Sequence, residues 1–135
     1  MKAQKILIVE DDVSHRATME KVLQLHGYET CSCGSGERAV VKIREESESF
    51  GFLITDFQMR GMDGLELIRE ARAIKPEISA LLVSGLATEE MRVKAAKQGV
   101  NGFFPKPVEW DELIGFLDAA RPDEWNGNQL KRPEE

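Results

Sequence analysis

Five short apolar runs punctuate the chain, at residues 6–9, 28–33, 52–55, 78–83 and 102–104. Four are nearly continuous in apolar residues, the pattern of strands buried on both faces. The second alternates, with Tyr28, Thr30 and Ser32 against Glu29, Cys31 and Cys33, as an edge strand does. Helix-like segments fill the gaps. Residues 13–26 carry Ala17, Met19, Val22 and Leu23 as an inward stripe and stop at Gly27, a left-handed cap. Ser35 caps a helix through Glu46 with Ala39, Val40 and Ile43 facing in. Asp63 and Glu66 form a capping box, followed by Leu65, Ile68 and Ala71 until Pro76 ends the helix. Thr88 caps the next helix, with Glu89 and Glu90 in its positive first turn. The last helix spans about 109–120, with Leu113, Phe116, Leu117 and Ala120 as its buried stripe.

Strict alternation of strand and helix predicts an α/β fold: a five-stranded parallel sheet, doubly wound, with helices on both faces. Residues 1–120 make one domain. Residues 121–135 hold two prolines, a glycine, two asparagines and several charges, and read as a polar tail or linker. Within that tail, Trp125 and Leu130 are too few to predict a docking segment.

Composition narrows the function. The 135 residues are 41% hydrophobic, enough for a core, and carry a net charge of −6. No basic surplus exists to neutralise phosphates, so direct nucleic-acid binding is not expected. Cys31 and Cys33 lie two apart on one strand face, a spacing that rarely forms a disulfide, and read as reduced thiols. Only His15 and His26 could complete a zinc site with them, and neither stands at ligand spacing. The N-terminus lacks a signal-peptide pattern, and no stretch reaches the roughly 20 apolar residues of a membrane span. A cytoplasmic protein with no membrane contact is the expectation.

The residues just past each strand carry the chemistry. Glu10, Asp11 and Asp12 follow the first, Asp56 the third, Ser84 and Gly85 the fourth, and Lys106 between two prolines the fifth. In open parallel sheets, ligands bind outside the carboxyl ends of the strands. Clustered carboxylates repel unless a cation sits among them, and all-oxygen donors suit Mg²⁺, Mn²⁺ or Ca²⁺. A carboxylate can also serve as nucleophile in phosphoryl transfer, with a lysine and a hydroxyl binding the phosphoryl oxygens. Taken singly, each residue reads as a turn, cap or surface charge; their joint placement argues otherwise. His15 on the first helix reads as solvent-facing. His26 suits that helix's negative end, and Trp110 reads as an amphipathic anchor.

At this point the sequence resembles the receiver domain of bacterial two-component response regulators. The matching segments are Ile6-Leu-Ile-Val-Glu10-Asp11-Asp12, Asp56-Phe-Gln-Met-Arg-Gly-Met-Asp-Gly64, Leu82-Val-Ser84-Gly85 and Phe104-Pro-Lys106-Pro107, in family order at family spacing over about residues 4–120. The resemblance implies a flavodoxin-like strand order, 2-1-3-4-5. It implies Asp56 as phospho-acceptor, Mg²⁺ (with Mn²⁺ as a substitute) bound by Asp11 and Asp56, by Glu10 through water, and by the Gln58 backbone carbonyl. It implies that Ser84 swings to the phosphoryl group, that Lys106 pairs with a phosphoryl oxygen, that Phe103 is the aromatic switch, and that the Lys106–Pro107 bond is cis. The signal would then reach the surface of the fourth helix, fifth strand and fifth helix. The partner would be a sensor histidine kinase or phosphotransfer protein, with the downstream protein open and homodimerisation common in such domains. Such a domain catalyses only its own phosphorylation and dephosphorylation, so it is not expected to be an enzyme toward another substrate.

Departures from the family pattern are few. Arg60 replaces the usual proline, which loosens the loop beside Asp56; its side chain is expected to point to solvent. Ser84 stands where threonine is commoner, and Phe103 lacks a tyrosine hydroxyl. Three organisations fit: a stand-alone regulator ending near Glu135, a module of a hybrid kinase, or a module of a DNA-binding regulator. A haloacid-dehalogenase-like aspartyl-phosphate phosphatase normally needs a second aspartate two residues after the nucleophile, where this chain has Gln58.

Overall fold

A computed structural model describes residues 5–120, so the expected tail at 121–135 and its Trp125 and Leu130 lie outside the described residues. The strands are β1 (Lys5–Val9), β2 (Thr30–Cys33), β3 (Phe50–Asp56), β4 (Ser79–Ser84) and β5 (Gly102–Pro105). The helices are α1 (Val13–Leu25), α2 (Gly36–Glu45), α3 (Gly64–Ile74), α4 (Glu89–Lys97) and α5 (Trp110–Ala120). All strand pairs are parallel, in the order β2-β1-β3-β4-β5, with β2 and β5 at the edges. Among the described residues, no helix is long and apolar enough to cross a membrane.

The sheet separates two apolar layers, because successive strand side chains face opposite ways. On one face Leu7, Val9, Leu53 and Leu82 pack with α2, α3 and α4 through Ala39, Ile43, Leu67, Ile68 and Ala95. On the other, Ile6, Ile8, Ile54 and Val83 pack with α1 and α5 through Met19, Leu23, Leu113 and Leu117. Each of the Val, Leu, Ile and Met side chains among them contributes about 1.5–3 kcal/mol on burial. Cys31 and Cys33 are free and half-buried against the first face; burial pushes the Cys33 thiol up, which keeps it protonated.

Local signals act as the patterning expects. Ser35, Asp63 and Thr88 each cap the following helix, and Asp12, not singled out as a cap from the sequence, caps α1. At α3 the capping box closes both ways, Glu66 N–H to Asp63 Oδ1 at 2.8 Å and Asp63 N–H to Glu66 Oε1 at 2.9 Å. Such a cap contributes about 1 kcal/mol.

Three expectations need correction. The second strand begins at Thr30, not Tyr28. Gly27 adopts φ +89° and the Tyr28 N–H returns to the Leu23 carbonyl, so the end of α1 uses the donor that a strand would need. Ala17 and Ala120 are exposed and Phe116 is only half-buried, whereas Ile114 is buried. Helical periodicity marks the apolar stripe but not its edges, which depend on how each helix tilts on the sheet. Strands β3 and β4 also reach one residue further than the apolar runs, so Asp56 and Ser84 end strands instead of following them.

Candidate functional site

The order in which strands are added reverses between β1 and β3, since β2 lies on one side of β1 and β3 on the other. That switch point leaves a crevice outside the carboxyl ends of the strands. Asp56 closes β3 there and is only 6% exposed; Glu10, directly after β1, is 2% exposed. Carboxylate oxygens of Glu10, Asp11 and Asp56 all lie within 4.8 Å of one another. Lys106 reaches across from the loop after β5, with Nζ 3.0 Å from Asp56 Oδ1 and 3.4 Å from Glu10 Oε1. The Lys106–Pro107 bond is cis, and the Lys106 N–H donates to the Ser84 carbonyl at 2.9 Å.

The electrostatics are unbalanced. Burial raises the Asp56 carboxyl above its ordinary range, and the Glu10 and Asp11 charges push the same way; the bond from Lys106 opposes them without cancelling them. Burial works against the Lys106 ammonium, but its bond to Asp56 and the Asp56 and Glu10 charges win and hold it above its ordinary value. One ammonium thus serves three clustered carboxylates. This hard, all-oxygen donor set fits Mg²⁺ or Mn²⁺.

Backbone support is close. A Cβ on Gly64 would collide with the Asp56 carbonyl oxygen, so only glycine lets α3 start against the end of β3. The Phe57 N–H donates to the Val83 carbonyl at 2.8 Å, which ties the loop after Asp56 to β4. Arg60 is exposed, as expected, but its N–H donates to Asp11 Oδ2 at 3.3 Å. Gln58 lies in the same loop with an exposed side chain.

Ser84 is buried at the end of β4. Its hydroxyl donates to the Leu86 carbonyl at 3.2 Å and accepts the Leu86 N–H at 2.9 Å. It is therefore turned into its own loop. Phe103 is half-buried, and the Arg92 guanidinium of α4 stands 4.8 Å from its ring centroid.

The reading of His15 as solvent-facing is corrected. Its Nδ1 lies 2.7 Å from Glu10 Oε1, and its ring is 6.4 Å from that of Trp110. The residue sits in the first turn of α1, where side chains lean back toward the helix start and so toward Glu10. Its five-residue separation from Glu10 carries no recognisable motif. His26, as expected, meets the end of α1, with Nδ1 3.0 Å from the Val22 carbonyl.

Fold and rim together define a class: doubly wound parallel α/β proteins with an acidic, lysine-bearing ligand site at the strand switch point. The chain belongs to the response regulator receiver domain family, whose family model matches residues 6–118. It is 32% identical over 115 residues to the transcriptional regulatory protein ZraR of Escherichia coli K12, covering 85% of this chain and 26% of that protein. It is 32% identical over 122 residues to the C4-dicarboxylate transport transcriptional regulatory protein DctD of Rhizobium meliloti, covering 90% and 26%. The chain thus spans about a quarter of the length of these relatives. A response regulator receiver protein from Pseudomonas putida superposes with TM-score 0.80 at 28% identity, covering 88% of this chain and 98% of that one. Receiver domains act as signalling switches in two-component systems.

Proposed function

We propose that this domain is a phospho-acceptor switch in which Asp56 takes a phosphoryl group from the phosphohistidine of a sensor histidine kinase or phosphotransfer protein. One observation carries the reading: three carboxylates converge within 4.8 Å of one another at the switch point while Lys106 lies 3.0 Å from Asp56. Glu10, Asp11, Asp56 and the Gln58 carbonyl would hold Mg²⁺, with Mn²⁺ as a substitute; bound there, the ion neutralises charge that builds on the phosphoryl oxygens. Asp56 attacks phosphorus through a carboxylate oxygen. The P–O bond forms as the P–N bond breaks, and the imidazole leaves with its electron pair. Lys106 donates to a phosphoryl oxygen.

The product adds roughly one to two negative charges at the rim. Ser84 then trades its bonds with Leu86 for the phosphoryl group, which frees the loop ahead of Thr88. Phe103 turns inward and leaves the Arg92 guanidinium, so the surface of α4, β5 and α5 changes. This is a population shift between two packings. A homodimer can use that surface. The domain acts on no separate substrate, works in the cytoplasm and, at net charge −6, does not itself hold nucleic acid. A longer protein is also supported: the curated relatives are transcriptional regulators of which this chain spans about a quarter, so the module would govern a DNA-binding region.

Intact mass after incubation with acetyl phosphate tests the reading. A single phosphoryl adduct is expected in wild type with Mg²⁺, and none in Asp56→Asn or with the metal chelated. A folded wild type that gains no adduct would overturn it.

A further inference from the structure

We infer that His15 is a positioning residue of the acidic site: it holds the Glu10 carboxylate for the cation and keeps Lys106 available to Asp56. The inference rests on the reading of the rim as a Mg²⁺-dependent phospho-acceptor.

Glu10 is almost fully buried, so its charge must be met by donors. Oε2 accepts the Asp12 N–H at 3.1 Å. Oε1 is shared: His15 Nδ1 lies at 2.7 Å and Lys106 Nζ at 3.4 Å. A carboxylate only accepts, so the imidazole proton sits on Nδ1. Histidine therefore makes the shorter bond, and the lysine stays nearer to Asp56, at 3.0 Å.

Three neighbours secure this arrangement around the first turn of α1. Asp12 Oδ1 accepts the His15 N–H at 3.0 Å, which fixes the backbone that carries the imidazole. Arg16, one residue on, donates from Nη1 to the Glu10 carbonyl at 2.8 Å. Trp110, at the start of α5, backs the imidazole ring at 6.4 Å and a tilt of 41°. His15 is not one of the three mutually close donors, so it acts on a cation through Glu10 and not as a ligand. Were the imidazole lost, the Glu10–Lys106 pair would tighten. Glu10 would lose its shorter bond, and the ammonium would be drawn off Asp56.

Binding of Mn²⁺ alone, followed by loss of the free-ion electron paramagnetic resonance signal, with Mg²⁺ in competition, reads this without phosphorylation. His15→Leu is expected to weaken both ions about tenfold, the range typical of groups that orient metal ligands. His15→Asn places an amide nitrogen where Nδ1 stood and is expected to stay within about twofold of wild type. Should the leucine variant fold poorly, His15→Gln moves the donor to the Nε2 position and is expected to lose affinity as leucine does. Wild-type affinity in His15→Leu, or equal losses in the leucine and asparagine variants, would overturn the inference and leave the site reading standing. Wild type with no saturable Mn²⁺ binding that Asp11→Asn weakens would overturn both.

Discussion

Two lysines stand at opposite ends of the same sheet and are treated in opposite ways. Lys106, at the carboxyl end of the strands, is 31% exposed and faces Asp56 and Glu10. Lys75, at the amino end, is 7% exposed and donates to the Ser47 and Phe50 carbonyls, each at 2.6 Å. Desolvation lowers Lys75 below its ordinary value, only partly opposed by Glu77 and Glu48, while its carboxylate neighbours raise Lys106. At the amino end a buried ammonium is met by two backbone carbonyls. The carboxyl end keeps surplus negative charge in a crevice. Structure is completed at one end, and chemistry is prepared at the other.

The sharpest way to break this comparison is to remove each ammonium in turn. Lys106→Met should cut the rate of phosphoryl loading by about 10²–10³-fold, the cost of one oriented charge donor, with the fold retained. Mass spectrometry over time checks the rate, and circular dichroism the fold. Lys75→Met should do the reverse. Two carbonyls lose their donor, so urea unfolding should show a loss of about 1–3 kcal/mol while loading stays at wild-type rate. Equal effects of the two variants on loading would erase the distinction between the ends.

A smaller effect tests the surplus charge itself. Asp11→Asn removes one of three carboxylates within 4.8 Å and should stabilise the metal-free domain by about 1 kcal/mol. Mg²⁺ should raise the melting temperature of wild type and leave that of Asp11→Asn nearly unchanged. Calorimetry with and without the ion decides.

The smallest effect is in pH. Lys75 has a folded-state value below its unfolded one, so between the two the unfolded chain binds more protons. Stability should therefore rise with pH from the lowered value toward about 10.5, the ordinary lysine range. Urea midpoints of wild type minus those of Lys75→Met, measured from neutral to alkaline pH, should climb across that window. A flat difference would mean that Lys75 folds without cost to its charge.

Most of the rim was legible because four of the five strands end in a short, local signal. Glu10, Asp11, Asp56, Ser84 and Lys106 follow or close apolar runs, and parallel topology puts all such positions on one side. The caps Ser35, Asp63 and Thr88 were legible for the same reason, since a capping bond spans only three residues. Contacts between elements were not. The Tyr28 hydroxyl donates to Asp118 at 2.5 Å across 90 positions, and no pattern near either residue announces it. Lys75 reads as the end of a helix before proline, and its carbonyl partners come from the loop after α2 and the first residue of β3.

The sequence by itself determined the alternation of strand and helix, the caps, the open parallel sheet and the collection of acids and lysine at its carboxyl edge. These follow from periodicity and chain direction, which operate over a few residues. Only the tertiary structure decided that His15 turns onto Glu10, that Ser84 is held by Leu86, and that Lys106 sits closer to Asp56 than to Glu10. Those choices depend on how helices tilt and loops settle on the finished sheet. There the desolvation of a charge and the few ångströms to a partner outweigh any local preference of the chain.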